Sequence, residues 1–228
     1  MQHVKVICLD LDDTLWDLGP AIYRAERAVY EWFGRCYPRV AERFSMEDIL
    51  ALRRSMDAEF PGREYDLPLL RRATFARLAR ESGYPEALAE EAFATFQHVR
   101  NQVTPFEDVR PGLERLARRA PLVALTNGTA DLAVIGLQHF FTVVFTPGDV
   151  AAAKPDPRAF LGVCEQLRLR PAEILHAGDN PEKDVAGARA VGMPAIWVDR
   201  GLHAWPAGLP PADHVVRDLL QLAELVGA

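Results

Sequence analysis

Two aspartates stand two positions apart directly after an apolar run near the start of the chain. The run at residues 4–9 is short, continuous and rich in β-branched side chains, and it leads into Asp10, Asp12 and Thr14. Side chains alternate between two sides of an extended backbone, so Asp10 and Asp12 are expected to project to the same side. The segment therefore predicts a site that contains two neighbouring carboxylates.

Reactive side chains also follow three later apolar runs. In open parallel sheets, ligands bind beyond the carboxyl ends of the strands, so residues at these points are expected to meet in space. The residues are Thr126, Asn127 and Gly128 after the run at 122–125, Lys154 in the loop after 143–145, and Asp179, Asn180 and Asp184 after 174–177.

The combined charge of these segments predicts a bound cation. Adding Asp179 and Asp184 to the first two aspartates concentrates negative charge, which requires a cation or protonated carboxyls. Ligands that are all oxygen favour Mg²⁺ over zinc. With Lys154, the Thr126 hydroxyl and free backbone N–H groups around Asn127-Gly128, such an ion would make a pocket suited to a phosphoryl group. A small phosphorylated metabolite is the expected partner.

Strand-like and helical patterns alternate in the second half of the chain, and they position these residues. Short apolar runs separated by helical stretches indicate βαβ units and a parallel sheet. Residues 216–226 have the pattern of a closing helix. The strand-like runs are residues 4–9, 122–125, 143–145, 174–177 and 195–198, and the helical stretches between them include 113–119, 158–167 and 182–191.

A purely helical stretch separates the first strand from the others. Its crossings into the sheet domain fall near Leu18-Gly19-Pro20 and Val103-Thr104-Pro105, where Pro and Gly would permit a hinge. We predict an α/β fold with a discontinuous core of residues 1–17 and 105–228 and a helical domain at 18–104. The helical patterns of that domain cover residues 21–33, 46–59, 67–81 and 86–99.

Composition and charge exclude several classes of protein. The 228 residues are 49% hydrophobic and 25% charged, as in an ordinary globular protein. A formal net charge of −6 gives no support for a nucleic-acid partner, and no apolar run is long enough to span a bilayer. Three widely spaced cysteines suggest neither a disulfide framework nor a zinc site. We predict a cytoplasmic protein, and the sequence makes no prediction of its oligomeric state.

These segments, in this order, resemble the signature motifs of the haloacid dehalogenase superfamily. The motifs are a strand followed by Asp-x-Asp-x-Thr, a strand ending in Thr or Ser, a Lys, and a Gly-Asp followed shortly by another Asp. The resemblance implies a Rossmann-like parallel-sheet core with an inserted α-helical cap domain. The residues that match the motifs are Asp10, Asp12, Thr14, Thr126, Lys154, Asp179 and Asp184.

The resemblance also implies roles for the matching residues. Asp10 would be the nucleophile and Asp12 the general acid and base, with Thr126 and Lys154 as further catalytic residues. Asp10, the Asp12 backbone carbonyl and Asp179 would bind Mg²⁺. Residues expected to contact substrate are Thr126, Asn127, Gly128 and Lys154. Asp184 and Asn180 are expected to hold the metal ligands in place without binding the ion directly. Asn180 stands where relatives often have an acidic residue.

The second aspartate favours phosphate chemistry over dehalogenation. A halide leaves without being protonated, and dehalogenases of the superfamily lack an acid two positions after the nucleophile, where this chain has Asp12. No lysine occurs between Lys5 and Lys154, which excludes the cap-domain Schiff base of phosphonatases. The sequence therefore predicts a phosphatase. The resemblance of its motif segments to phosphatases of the family implies small sugar, nucleotide or flavin-related phosphates as substrates. A phosphomutase remains an alternative, followed by a non-catalytic phosphoacceptor or binding module.

Overall fold

A computed structural model describes residues 3–228 and divides the chain into two compact units. One unit comprises Met1–Asp17 and Thr104–Ala228, and the other comprises Leu18–Val103. Thr104, which the sequence analysis assigned to the helical domain, lies in the first unit.

The first unit is built on a sheet of six parallel strands. The continuous apolar runs form its interior strands because both faces of such a strand are covered. The strands are β1 (Val6–Leu9), β2 (Leu122–Leu125), β3 (Phe141–Phe145), β4 (Ile174–Gly178), β5 (Ala195–Val198) and β6 (Val215–Val216).

The order of the strands brings the predicted site together. The sheet runs β3-β2-β1-β4-β5-β6, so β1 lies between β2 and β4. Cys8 is aligned with Val123 on one side and with His176 on the other. The chain reverses its direction of winding at β1, and the carboxyl ends of β2, β1 and β4 are neighbours there. The predicted α/β fold with a parallel sheet is confirmed.

Helices of the first unit pack on the sheet and on one another. Phe160 and Val163 join side chains of β1, β2 and β4 in one apolar cluster. At Gly112 a Cβ atom would lie 2.4 Å from Leu219 Cβ, so the helix carrying Gly112 and the last helix approach closely only because that side chain is absent. The helices are α6 (Val109–Arg119), α7 (Leu132–Ile135), α8 (Pro147–Val150), α9 (Pro157–Leu167), α10 (Gly187–Ala190) and α11 (Leu219–Val226), with a π-helical segment at Pro181–Ala186.

The second unit is entirely helical in its regular structure. Phe33, Phe75, Leu78 and Phe96 belong to its buried core. Among residues 3–228, no helix is long and apolar enough to cross a membrane. The helices are α1 (Gly19–Cys36), α2 (Pro38–Arg43), α3 (Met46–Ser55), α4 (Leu67–Glu81) and α5 (Leu88–Arg100), with a 3₁₀ turn at Met56–Glu59.

The end of the chain differs from the prediction of one helix over residues 216–226. Val215–Val216 pair with β5 as a sixth strand, and the helix starts only at Leu219. Asp218 has an extended backbone, and its side chain accepts a hydrogen bond from the Gln221 N–H. This N-cap fixes the start of the helix, with two residues between the strand and the helix.

A buried ion pair ties the loop after β1 to the end of the sheet domain. Arg200 donates two hydrogen bonds of 2.8 Å to the Asp108 carboxylate, and its Nε donates to the Thr14 carbonyl at 3.0 Å. The Asp108 carboxylate also accepts from the Leu219 N–H. The side chains of Arg200 and Asp108 are only 8% and 14% exposed. Breaking this pair leaves a mostly buried carboxylate without its counter-ion.

We expect Arg200→Met to lower the free energy of unfolding by about 3 kcal/mol, because removing one partner of a buried pair leaves the other charge buried without a counter-ion. Urea unfolding followed by circular dichroism measures this effect. Arg217→Met is the control, since that side chain is exposed, and it should change stability by less than about 0.5 kcal/mol. Equal losses in the two variants would contradict the prediction.

Candidate active site

Asp10 sits at the carboxyl end of β1 and is held there by the neighbouring strand. Its backbone N–H donates to the Ala177 carbonyl at 3.0 Å, which continues the pairing of β1 with β4 by one residue. The residue is only 6% exposed. Its carboxylate therefore has a fixed position at the point where the strand order reverses.

Lys154 approaches Asp10 from the loop after β3. Its Nζ lies 2.6 Å from Asp10 Oδ1 and 2.6 Å from Asp184 Oδ1. The Asn127 side chain accepts from the Lys154 N–H and donates to the Lys154 carbonyl, both at 2.8 Å. Asn127, predicted to contact substrate, thus uses its amide group to fix the backbone of the lysine.

Thr14 connects the two ends of the acidic cluster. Its hydroxyl oxygen accepts from the Asp179 N–H and lies 3.0 Å from Asp10 Oδ2 and 2.9 Å from Asp179 Oδ1. A hydroxyl has one hydrogen to donate. Two carboxylate oxygens therefore share it, unless one carboxyl is itself protonated. With both carboxyls ionised, the contact between Thr14, Asp10 and Asp179 therefore lacks one proton or one positive charge.

Asp184 receives hydrogen bonds on both of its oxygens. Oδ1 is bound by Lys154 and lies 3.0 Å from His176 Nε2, and Oδ2 accepts from the Asn180 N–H at 3.0 Å. A Cβ atom at Gly178 would lie 2.4 Å from Asp184 Cγ, so only glycine at the end of β4 allows this approach. These contacts agree with the predicted supporting roles of Asp184 and Asn180, which stay predictions.

Asp12 and Thr126 are oriented by local hydrogen bonds. The Trp16 indole N–H donates to Asp12 Oδ1 at 2.9 Å. Thr126 continues β2 by donating its N–H to the Phe145 carbonyl. The Gly128 N–H, expected to be free for phosphate, donates to the Thr126 hydroxyl oxygen at 2.9 Å. The turn after β2 folds this N–H back onto the Thr126 side chain, so it is not free, and contact of Gly128 with substrate stays a prediction. The Thr126 hydroxyl hydrogen can still donate.

Burial and mutual repulsion shift the acidity of the cluster. Burial raises the pKa of Asp10 to about 7, although Lys154 acts against this shift. Burial also raises the pKa of Asp179 to about 8, helped by the charges of Asp10 and Asp184. For Asp184 burial opposes ionisation, but Lys154 and His176 outweigh it and lower its pKa. The lysine has a raised pKa because its two carboxylate partners outweigh burial, so it is charged.

In the described part of the chain, residues 3–228, two groups of side chains could hold a metal ion, and they share Asp179. In each group the ligand atoms lie within 4.8 Å of one another. The first consists of Asp10, Asp179 and Asp184, all buried, and the second of Asp13, Asp179 and His203. The sequence analysis gave His203 no role in a site. Its Nε2 lies 3.2 Å from Asp179 Oδ2, although it comes from the loop after β5.

The donors of the first group suit a divalent cation. With all three carboxyls ionised, their charges and the single charge of Lys154 sum to −2, in a buried place. This buried negative charge raises the pKa values of Asp10 and Asp179, and it also explains why two carboxylate oxygens share the single Thr14 hydroxyl hydrogen. A hard divalent cation with oxygen ligands would neutralise this charge.

The metal-free protein should lose stability as pH rises from about 4 to about 8. The folded state holds the carboxyl protons of Asp10 and Asp179 more tightly than the unfolded chain, because their pKa values are raised from 3.8 to about 7 and about 8. Mg²⁺ competes with those protons, so it should raise the melting temperature more at about pH 8 than at about pH 6.

Thermal unfolding with and without Mg²⁺ at the two pH values tests this expectation. Asp179→Asn should abolish most of the shift caused by Mg²⁺, while Asp213→Asn, on an exposed loop, should keep it. An equal shift at both pH values, or one retained by Asp179→Asn, would contradict it.

The structure brings together more residues than the sequence analysis assigned to the site. Thr14 was matched to a motif but received no role, and His176 was given no role in the site. Trp197 lies on β5, and its indole N–H donates to the Asp179 carbonyl at 2.7 Å. The position of His176 two residues before Gly178 was a usable signal, whereas the sequence carries no signal for His203.

Comparisons with known proteins find a matching family model and similar sequences. Residues 4–192 match the family model described as haloacid dehalogenase-like hydrolase. The chain is 30% identical to the Escherichia coli protein named 5-amino-6-(5-phospho-D-ribitylamino)uracil phosphatase YigB, over 99% of this chain and 98% of that protein. It is 34% identical to a phosphoserine phosphatase of Thermus thermophilus, over 87% of this chain and 90% of that protein.

One solved structure that is similar to this chain is named for a different activity. The crystal structure of 2-haloacid dehalogenase from Pseudomonas syringae pv. Tomato DC3000 superposes with a TM-score of 0.91 at 35% identity. The match covers 98% of each chain. Similar folds therefore accompany two kinds of chemistry, and the residues around Asp10 must discriminate between them.

Proposed function

The chain belongs to the haloacid dehalogenase-like hydrolase family, and on that premise we propose that it is a Mg²⁺-dependent phosphatase. Its substrate would be a small phosphate monoester, and the reaction would pass through a phosphoryl group bound to Asp10. The phosphatase names of the two relatives support this class of reaction.

Asp12 carries the proposal. An alkoxide is a poor leaving group and must be protonated as the bond to phosphorus breaks, whereas a halide needs no proton. Asp12 stands two residues after Asp10, and the Trp16 indole holds its carboxyl at 2.9 Å. A reaction at carbon with a halide leaving group would not need this oriented group as an acid.

The nucleophile and its neighbours define the first step. An Asp10 oxygen attacks phosphorus, and Asp12 gives its proton to the departing oxygen of the ester. Lys154, 2.6 Å from Asp10 Oδ1, supplies positive charge for the oxygens of the phosphoryl group, and the Thr126 hydroxyl donates to the same group. When bound by Asp10, Asp179 and the Asp12 carbonyl, Mg²⁺ would neutralise charge on the phosphoryl oxygens.

The second step restores the enzyme. Asp12, now without its proton, takes one from water as the water attacks the phosphoryl group on Asp10, and phosphate leaves. Water thus delivers its oxygen to phosphorus, and Asp12 regains the proton that it lost. A phosphomutase would share the first step and then pass the phosphoryl group to a second sugar hydroxyl.

A panel of phosphate esters tests this proposal. p-Nitrophenyl phosphate, phosphoserine and a phosphorylated ribityl compound should be assayed for phosphate release with Mg²⁺ and with excess chelator. We expect Mg²⁺-dependent release from at least one of them. Isomerisation of a sugar phosphate, activated by a sugar bisphosphate and without net release, would instead identify a mutase. The cytoplasmic location predicted from the sequence is part of this proposal.

A further inference from the structure

His176 is a fully buried histidine on β4, two residues before Gly178. Its backbone is aligned with Cys8 of β1. The centroids of the His176 and Phe160 rings lie 5.3 Å apart, and the two rings are nearly perpendicular, at 88°. The residue has no exposed surface. The imidazole ring is therefore enclosed on the sheet side and on the helix side, and its orientation is fixed by packing.

One ring nitrogen of His176 has a partner, and the other has none. Nε2 lies 3.0 Å from Asp184 Oδ1, and an ionised carboxylate can only accept, so Nε2 carries the hydrogen. Burial lowers the pKa of the imidazole, which leaves Nδ1 bare. Among residues 3–228, no group forms a hydrogen bond with this buried Nδ1.

An unpaired buried acceptor costs stability. A leucine at this place in the apolar cluster around Phe160 would avoid that cost. The benefit that offsets it must come from the other nitrogen, because Nε2–H is the only polar group of the side chain with a partner in the described part of the chain.

The Asp184 oxygen bound by His176 is also the one that holds Lys154. Both donors meet at Oδ1, and Lys154 Nζ reaches from there to Asp10 Oδ1. A continuous path of hydrogen bonds thus runs from His176 through Asp184 and Lys154 to Asp10. The orientation of the carboxylate decides where the ammonium group points.

We propose that His176 is a positioning residue, whose Nε2–H fixes the Asp184 carboxylate and thereby directs Lys154 toward the group that reacts at Asp10. The inference rests on the proposed function, since Lys154 acts on a phosphoryl group only if the protein is a phosphatase. His176 itself touches neither substrate nor metal.

Three variants separate positioning from packing. His176→Leu keeps an apolar body and removes the donor, whereas His176→Gln carries an amide N–H that can reach the place of Nε2. Ile174→Val is the packing control, because Ile174 lies on the same face of β4 and is buried without a polar group. Melting temperatures identify any loss that comes from unfolding.

With p-nitrophenyl phosphate and Mg²⁺, we expect His176→Leu to lower kcat by about 10- to 100-fold, with KM changed by less than about 3-fold. His176→Gln should recover most of this loss, and Ile174→Val should leave kcat near that of the wild type. Wild-type kcat in His176→Leu, or equal losses in the leucine and glutamine variants, would overturn the inference.

Crystal structures of the same variants give a readout that does not need turnover. In His176→Leu, Lys154 Nζ should leave Asp10 Oδ1, and in His176→Gln it should stay within hydrogen-bond distance. If the wild type releases no phosphate from any ester, the proposed function fails and these structures alone decide the inference. An unmoved Lys154 in His176→Leu would then overturn it.

Discussion

Asp10→Asn is expected to lower the rate of phosphate release from p-nitrophenyl phosphate by at least about 10⁴-fold. An amide is a poor nucleophile toward phosphorus, and removing a residue that forms the covalent bond costs nearly the whole chemical contribution of the site. The loss should lie in kcat, because the Lys154 ammonium and the Thr126 hydroxyl still bind the phosphoryl group.

The fold should survive this substitution. The side chain keeps its shape, and Lys154 keeps Asp184 as a partner at 2.6 Å. Circular dichroism and a melting curve therefore serve as controls, and Asp213→Asn, an exposed site, should keep the wild-type rate. A folded Asp10→Asn protein with more than about one tenth of the wild-type rate would rule out Asp10 as the nucleophile.

Asp12→Asn is expected to lower kcat by about 10²- to 10⁴-fold, with an effect that depends on the leaving group. p-Nitrophenolate departs with little help from a proton, so its release in the first turnover should stay fast. An alkyl phosphate such as phosphoserine needs the proton and should react slowly from the first turnover.

The second half-reaction should also be slow in this variant, because no base activates the water. Rapid mixing with p-nitrophenyl phosphate should give a burst of p-nitrophenol followed by slow turnover. Mass spectrometry should then find one phosphoryl group on the peptide that contains Asp10. Equal slowing of the first turnover with both esters would contradict the role of Asp12 as the acid.

Much of the fold could be predicted from the sequence, because local signals mark the elements. The β2 and β5 runs are wholly apolar and lie where the pattern predicts them. Helix α4 starts after Asp66, whose side chain caps it, and ends at Glu81, two residues before Gly83. The strand β6 could not be predicted, because it has only two residues and exists through its pairing with β5.

The site was predictable in its residue types and less so in its contacts. Asp10, Lys154 and Asp179 each follow an apolar run, and the strand order brings them together. Which hydrogen bonds form depends on register and on turn geometry. The Gly128 N–H donates to the Thr126 hydroxyl, and His203, in the loop after β5, contacts Asp179. Neither contact has a local signal in the sequence.

The roles proposed for the residues around Asp10 are those of a phosphatase and differ from those of a dehalogenase, the activity named for the solved structure at 35% identity. Asp12 has a task as an acid only when the leaving group needs a proton. The acidic cluster around Asp179 has a charge that suits a divalent cation. Both features concern the reaction itself, and a direct comparison of two substrates therefore tests them together.

The most direct test is to give the purified wild-type protein p-nitrophenyl phosphate and, separately, 2-chloropropionate, each with Mg²⁺ and with excess chelator. Phosphate release that requires Mg²⁺, with no release of chloride, is the predicted result. Release of chloride that is unaffected by the chelator, without release of phosphate, would contradict the assignment of a phosphatase.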